Sequence, residues 1–249
     1  MRTRSELQIG IVTVIGLAVV LSIAGSLVWA APGNPAGFEV VGSSRRNTTF
    51  PTASVEAIAG NVTELRITST TTTKTWAGYY GNVTGTIVLD DALNNSMFSW
   101  NLDEAAGEVY AARGSVDFSS GNIICANATH IQQEENNLSV SPTAKDGVNE
   151  TFAYTTHPAF MVGDASFSSD QCGYTASTYV NDGVDSSRTF NETLLYDKAD
   201  NLTVYMALLT SKQDGFKIGT DKYDFQMLVG EDGHGNTDTT TYYFYVELQ

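Results

Sequence analysis

Basic side chains are scarce. The 249 residues hold 13 lysines and arginines against 28 aspartates and glutamates, a net charge of −15 at pH 7. An acidic surface repels phosphate backbones and anionic headgroups, so no nucleic-acid partner is expected. Cysteine is also scarce. Cys125 and Cys172 are the only two, and neither sits in a C-x-x-C pair, which argues against a zinc or redox motif. The three histidines, His130, His157 and His234, lie far apart in the chain. There is no G-x-S-x-G elbow, no H-E-x-x-H and no phosphate-binding glycine loop. Asp90-Asp91 and Glu134-Glu135 are adjacent pairs, which on a strand point to opposite faces rather than toward one substrate. These absences point away from an enzyme.

What is present begins with an apolar run. Ile9 to Ala30 carries no charged side chain, and only Thr13, Ser22 and Ser26 are polar. Twenty-two helical residues span roughly 33 Å, enough for a hydrocarbon core of about 30 Å. Backbone amides in lipid must bond internally, so the run is expected to be helical. Arg2 and Arg4 precede it and the next basic residues are Arg45 and Arg46, which places residues 1–8 in the cytoplasm and the rest of the chain outside. Two readings share that export: a retained membrane or filament-stem helix over 9–30, or a signal peptide with Val28-Trp29-Ala30 as its cleavage site. Beyond residue 30 the chain has 11 basic and 27 acidic residues, a net charge of −16.

Residues 31–50 mix Pro, Gly, Ser, Asn and Thr and read as a flexible stalk, with Phe38–Val41 as a short strand candidate able to pair in its own domain or with a neighbour's sheet edge. From about Thr52 the hydrophobic period becomes two. Strands are predicted at 62–68, 85–89, 97–101, 107–111, 122–125, 151–154, 177–180, 189–196, 202–210, 224–229 and 240–248. No twelve-residue window shows a helical period, and 53–59 is the only stretch with some helix propensity. The fold class expected for 51–249 is all-β: an antiparallel β-sandwich, or two packed β modules. The stretches 224–229 and 240–248 flank a Gly/Asp/Asn loop and read as a hairpin. The second of them is apolar on both faces, which predicts a central strand.

The two cysteines, outside the cell, are expected to form one disulfide. Closing the loop of about 47 residues between Cys125 and Cys172 is worth about 4 kcal/mol in the chain-entropy model. Sequons Asn-x-Ser/Thr occur at Asn47, Asn61, Asn82, Asn94, Asn127, Asn137, Asn149, Asn191 and Asn201, nine of the sixteen asparagines. That excess favours a surface protein carrying N-linked glycans, provided each site faces solvent. Asp232, Asn236 and Asp238 place oxygen ligands at even spacing in a Gly-containing loop with His234 between them, the pattern of a calcium site and equally of a plain turn. Asn181–Asp185 is a weaker version. No other cofactor is implied. Trp76, Tyr79 and Tyr80 beside Gly78 and Gly81 serve either as packing or as a contact for a subunit or sugar.

The segments W-A-G-Y-Y-G-N-V-T-G-T-I-V-L-D-D-A (76–92), M-F-S-W (97–100) and D-F-Q-M-L-V-G-E-D-G-H-G…T-T-T-Y-Y-F-Y-V-E-L resemble archaeal exported surface proteins. The N-terminus resembles in part archaeal type IV pilins and archaellins, with a short basic leader, Glu6 and an apolar helix ahead of a β head. The resemblance implies a surface location and brings no known active site. The expectation for function is a self-associating structural subunit of a surface filament or layer. A membrane-anchored binding protein is the alternative, and a secreted enzyme the third.

Overall fold

The computed structural model of the chain describes residues 31–46, 49–102, 106–219, 221–233 and 239–249. The expected helix over 9–30 lies outside them, as do Asn47, His234, Asn236 and Asp238. Among the described residues no helix is long and apolar enough to cross a membrane. The strands in chain order are β1 (Trp76–Gly81), β2 (Gly85–Asp90), β3 (Ser96–Leu102), β4 (Gly107–Ala112), β5 (Ile123–Cys125), β6 (Phe160–Val162), β7 (Ala165–Phe167), β8 (Thr175–Ser177), β9 (Asn191–Asp197), β10 (Leu202–Leu208), β11 (Gln213–Asp214), β12 (Lys222–Tyr223), β13 (Phe225–Gly230) and β14 (Tyr243–Leu248). Two helices interrupt them, α1 (Ala128–Asn137) and α2 (Val148–Thr151).

One six-stranded antiparallel sheet runs β14-β4-β10-β9-β5, with β8 sharing the outer edge of β9 with β5. β9 is buried along its whole length, and β10 through five of its seven residues. Alternation then sorts their side chains onto two cores. Val109, Ala111, Leu194, Tyr205 and Ala207 face one core together with α1, Val148, Phe152 and the β13 residues Met227 and Val229. Tyr110, Ala112, Leu195, Val204 and Met206 face the other, under Phe160, Val162, Phe167 and Cys172. The ribbon formed by β1 and β13 covers the first face, and the β6–β7 hairpin covers the second. The mainly β, antiparallel reading of the sequence holds.

Cys125 and Cys172 are bridged, with Cα atoms 5.1 Å apart. The bridge joins β5 to the segment just before β8, fastening together the two short strands that share one edge of β9. Short edge strands gain little from their few ladder bonds, so a covalent tie at this edge substitutes for ladder length.

Several local expectations fail for identifiable reasons. Nothing in the sequence marked helix α1, because A-T-H-I-Q-Q-E-E-N-N has only two apolar residues, Ala128 and Ile131, and no stripe. Its ends and its acids hold it instead. The Asn127 carboxamide oxygen accepts from the Thr129 and His130 amides, and the Asn127 amide donates to His130 Nδ1. Glu134, fully buried, is paired with Arg113 and accepts from the Tyr205 hydroxyl at 2.8 Å. The strand predicted over 151–154 is instead the end of α2, followed by a single bridge from Tyr154 to Thr175. The one predicted over 177–180 is β8, shifted to 175–177. No helix forms over 53–59, and no strand over 38–41; Gly33 makes the bridge, to Val246.

The hairpin expected from 224–229 and 240–248 does not form. β13 pairs with β1, and β14 pairs with β4. Nor is β14 central: β4 lies on one side of it and, among the described residues, only the Gly33 bridge on the other. Its side chains are apolar on both faces because both faces of the sheet are covered, and that burial is indifferent to whether a strand sits at the middle or the margin.

Candidate interaction surface

The three aromatics of β1 go three ways. Trp76 is an anchor: its indole N–H donates to the Asp146 carbonyl at 2.7 Å, and its ring packs on Phe152 and Tyr205. Tyr79 meets Phe244 of β14 edge-on at 5.1 Å, and Phe38 meets the same ring at 5.3 Å. Tyr80 joins Phe216 and Tyr223, with the Lys217 ammonium 4.7 Å above its ring centre and 2.8 Å from its hydroxyl. That contact raises the Lys217 pKa, the hydrogen bond to Tyr80 being its main cause. The three therefore form no common platform.

β2 and β3 form a two-stranded hairpin that the rest of the molecule leaves bare. Its register sets Ile87 opposite Trp100 and Leu89 opposite Phe98, with Thr86/Asn101 and Val88/Ser99 on alternate positions. One face is thus apolar and the other mostly polar. Among the described residues no strand or helix covers the apolar face: Ile87, Leu89, Phe98 and Trp100 are 49–57 % exposed. Isolated two-stranded hairpins are marginal in water, and uncovered apolar faces of this kind mark contact sites. Its base is fixed to the sheet. A Cβ on Gly85 would stand 2.2 Å from Leu248 Cδ1, and Gly85 faces Leu102 across the ladder. At its tip Asp91 ties the turn, accepting from the Asn95 side-chain amide and then from the Asn95 and Leu93 backbone amides, which lowers its pKa.

A second bare element precedes β1. The stalk expected over 31–50 touches the sheet at Gly33, whose backbone exchanges two hydrogen bonds with Val246. Beyond it the described residues 36–46 and 49–71 are all exposed. Within that arm the predicted strand over 62–68 pairs with no strand among the described residues, and Val62, Leu65 and Ile67 are exposed. Charge separates arm from body. Residues 31–75 carry four basic and three acidic side chains; residues 76–249 carry seven basic and 24 acidic, a net of −17.

The sequons fall around these elements. Asn61, Asn82, Asn94, Asn127, Asn137, Asn149 and Asn201 are all exposed. Asn94 and Asn201 adopt positive φ in turns, which asparagine tolerates. Asn191 is the exception. It is 9 % exposed on β9 and its side-chain amide donates to the Arg188 carbonyl, so the folded chain has no room for a glycan there. Asp232 accepts from the Thr240 hydroxyl, as a turn residue does. Asp185 accepts from the Ser187 and Thr189 amides, which closes its loop in the same way. Among the described residues no cluster of three His, Cys, Asp or Glu is placed to hold a metal ion.

Sequence reasoning missed the acids buried in the sheet. Glu108 and Glu247 face each other across β4 and β14, and Glu192 is fully buried with one oxygen accepting from the Leu228 amide. Burial pushes the Glu192 carboxyl well above the usual range. Only the pairing of strands distant in the sequence brings these acids indoors. No family model, no curated protein and no solved structure matches the chain.

Proposed function

We propose that the chain is a structural subunit of an extracellular surface assembly, a filament or a layer, with a sandwich-like β head carried behind an apolar N-terminal helix. The observation that carries this reading is the contrast within one chain. The body satisfies both faces of its sheet, while the arm and the β2–β3 hairpin leave apolar side chains uncovered. A monomer gains nothing from bare isoleucine, leucine and tryptophan; a self-associating subunit covers them in its neighbour. The acidic body and the seven exposed sequons suit a crowded, glycan-coated exterior. The helix over 9–30 would hold the subunit in the membrane before or after assembly.

The test is electron microscopy of material sheared from cells that make the full chain, with N-terminal sequencing of the product. Threads or sheets containing this chain support the reading. Recovery as a detergent-soluble monomer alone overturns it. That outcome favours a second reading, a membrane-anchored binding protein using the Tyr80, Phe216, Tyr223 and Lys217 cluster.

A further inference from the structure

The surface-assembly reading leaves open how one copy grips the next. We propose that the stretch 62–68 of one copy adds as a third strand to the β2–β3 hairpin of a second copy; this rests on that reading and specifies its joint.

The two pieces match in period, length and polarity. In V-T-E-L-R-I-T, alternation puts Thr63, Leu65 and Ile67 on one side and Val62, Glu64, Arg66 and Thr68 on the other. The hairpin has the same division, with Ile87, Leu89, Phe98 and Trp100 on one side. A third strand in register therefore sets Leu65 and Ile67 beside the apolar rows and Glu64 and Arg66 beside the polar ones. The arm stretch has seven residues and the hairpin strands have six and seven. Both outer edges of the hairpin are unpaired among the described residues, so ladder hydrogen bonds are available. Three strands with a hydrophobic face are stable where two are marginal.

Charge favours the same match. The arm is the part of residues 31–249 with a slight basic excess, and it would meet a body of net −17. The hairpin carries Asp90 at the end of β2 and no lysine or arginine in either strand. Glycans would not obstruct it. Asn61 lies just before the arm strand, Asn82 before β2 and Asn94 in the turn, so no sequon asparagine lies within either hairpin strand or 62–68.

Tether length argues for a second copy over the same one. Thr73 bonds the Asp146 carboxylate and Trp76 the Asp146 carbonyl, which pins the start of β1. The hairpin leaves from the far end of β1, about 17 Å away for a strand of that length. Thr68 to the pinned Thr73 spans at most about 18 Å, so folding back onto its own hairpin would leave almost no slack. Arm and hairpin are different surfaces, so the contact is head-to-tail and repeats into a ring or an open chain.

The experiment uses three full-length proteins in mild detergent: wild type, an arm variant (Leu65→Asp with Ile67→Asp) and a hairpin variant (Ile87→Asp with Phe98→Asp). Mass photometry and negative-stain images read the assembly, and circular dichroism checks that each variant keeps its β signal. Wild type is expected to form long oligomers. Each variant alone is expected to lose every species above the monomer. Their equimolar mixture is expected to stop at dimers, since one intact arm and one intact hairpin remain. A synthetic peptide of residues 61–69 is expected to block wild-type assembly, and the same peptide with both aspartates is not. Assembly of either variant as in wild type overturns the strand joint while leaving the surface-assembly reading in place, and so does a mixture that stays monomeric. Wild type that stays monomeric at every concentration overturns both.

Discussion

Glu108 and Glu247 stand directly opposite each other on β4 and β14, and both are almost wholly buried. Gln249 donates to Glu108 at 2.9 Å, and Tyr110 donates to Glu247 at 3.0 Å. The Gly163 amide reaches both Glu247 oxygens at 3.1 Å. Two like charges facing one another across a ladder repel. Burial, and then the charge of Glu247, push the Glu108 carboxyl up to about 8; burial also raises Glu247.

A raised carboxyl binds its proton more tightly folded than unfolded. The stability it contributes is complete below the unfolded value near 4.5 and is lost as pH climbs through about 8. Glu108→Gln fixes the neutral form and keeps an acceptor for Gln249. Urea titrations at pH 5 and pH 8.5 should therefore show the variant more stable by a few kcal/mol at the higher pH and nearly level with wild type at the lower. Equal differences at both values would show that the pair does not govern this seam.

Arg113 and Tyr205 both address Glu134, which has no exposed surface. Arg113→Met strands that carboxylate, at a cost of about 3–5 kcal/mol. Adding Glu134→Met should restore much of the loss, because a neutral core at this place needs no partner. Denaturant midpoints for the single and double variants decide it; a double variant as weak as the single would contradict the account.

Gly107 opens β4 at φ +126°, and a Cβ there would lie 2.0 Å from the Glu247 carbonyl oxygen. Backbone cannot yield as a side chain does. Gly107→Ala should destabilise the fold by roughly 3 kcal/mol or more, from strain at positive φ together with the clash, and lower the melting temperature sharply. Gly85→Ala meets only the end of Leu248 and should cost less. Parallel thermal melts give the ranking.

Glycopeptide mass spectrometry of the native product should find carbohydrate among the seven exposed sequons and none at Asn191. Carbohydrate on Asn191 in folded, disulfide-bonded protein would contradict its burial on β9.

Local pattern carried much of the fold. The strands at 85–90, 96–102, 107–112, 191–197, 202–208 and 225–230 lie where alternation and turn residues put them, because those signals are made by neighbours in the chain. Cys125 and Cys172 pair, as the even count suggested. Partner choice was not legible. β13 prefers β1 and β14 prefers β4, and that preference is set by cores assembled from distant residues. Helix α1 was hidden because its hold is Asn127 at one end and Glu134 within, neither of which is an apolar stripe. Of the candidate surface, the sequence left Trp76, Tyr79 and Tyr80 as packing or contact, and Trp76 packs. The exposed Phe98 and Trp100 of the hairpin were not legible, because their exposure follows from what fails to pack on them.

The ladder between β4 and β14 joins residues 107–112 to residues 243–248. A ribosome must add some 130 further residues after β4 before its mate exists. Through that interval the nascent β4 presents an unsealed margin, while the β9–β10 hairpin closes early and locally. Closure of the sheet is therefore the late, slow event of biogenesis, and the time at which the chain is most exposed to wrong partners is set by the distance between two strands along the message.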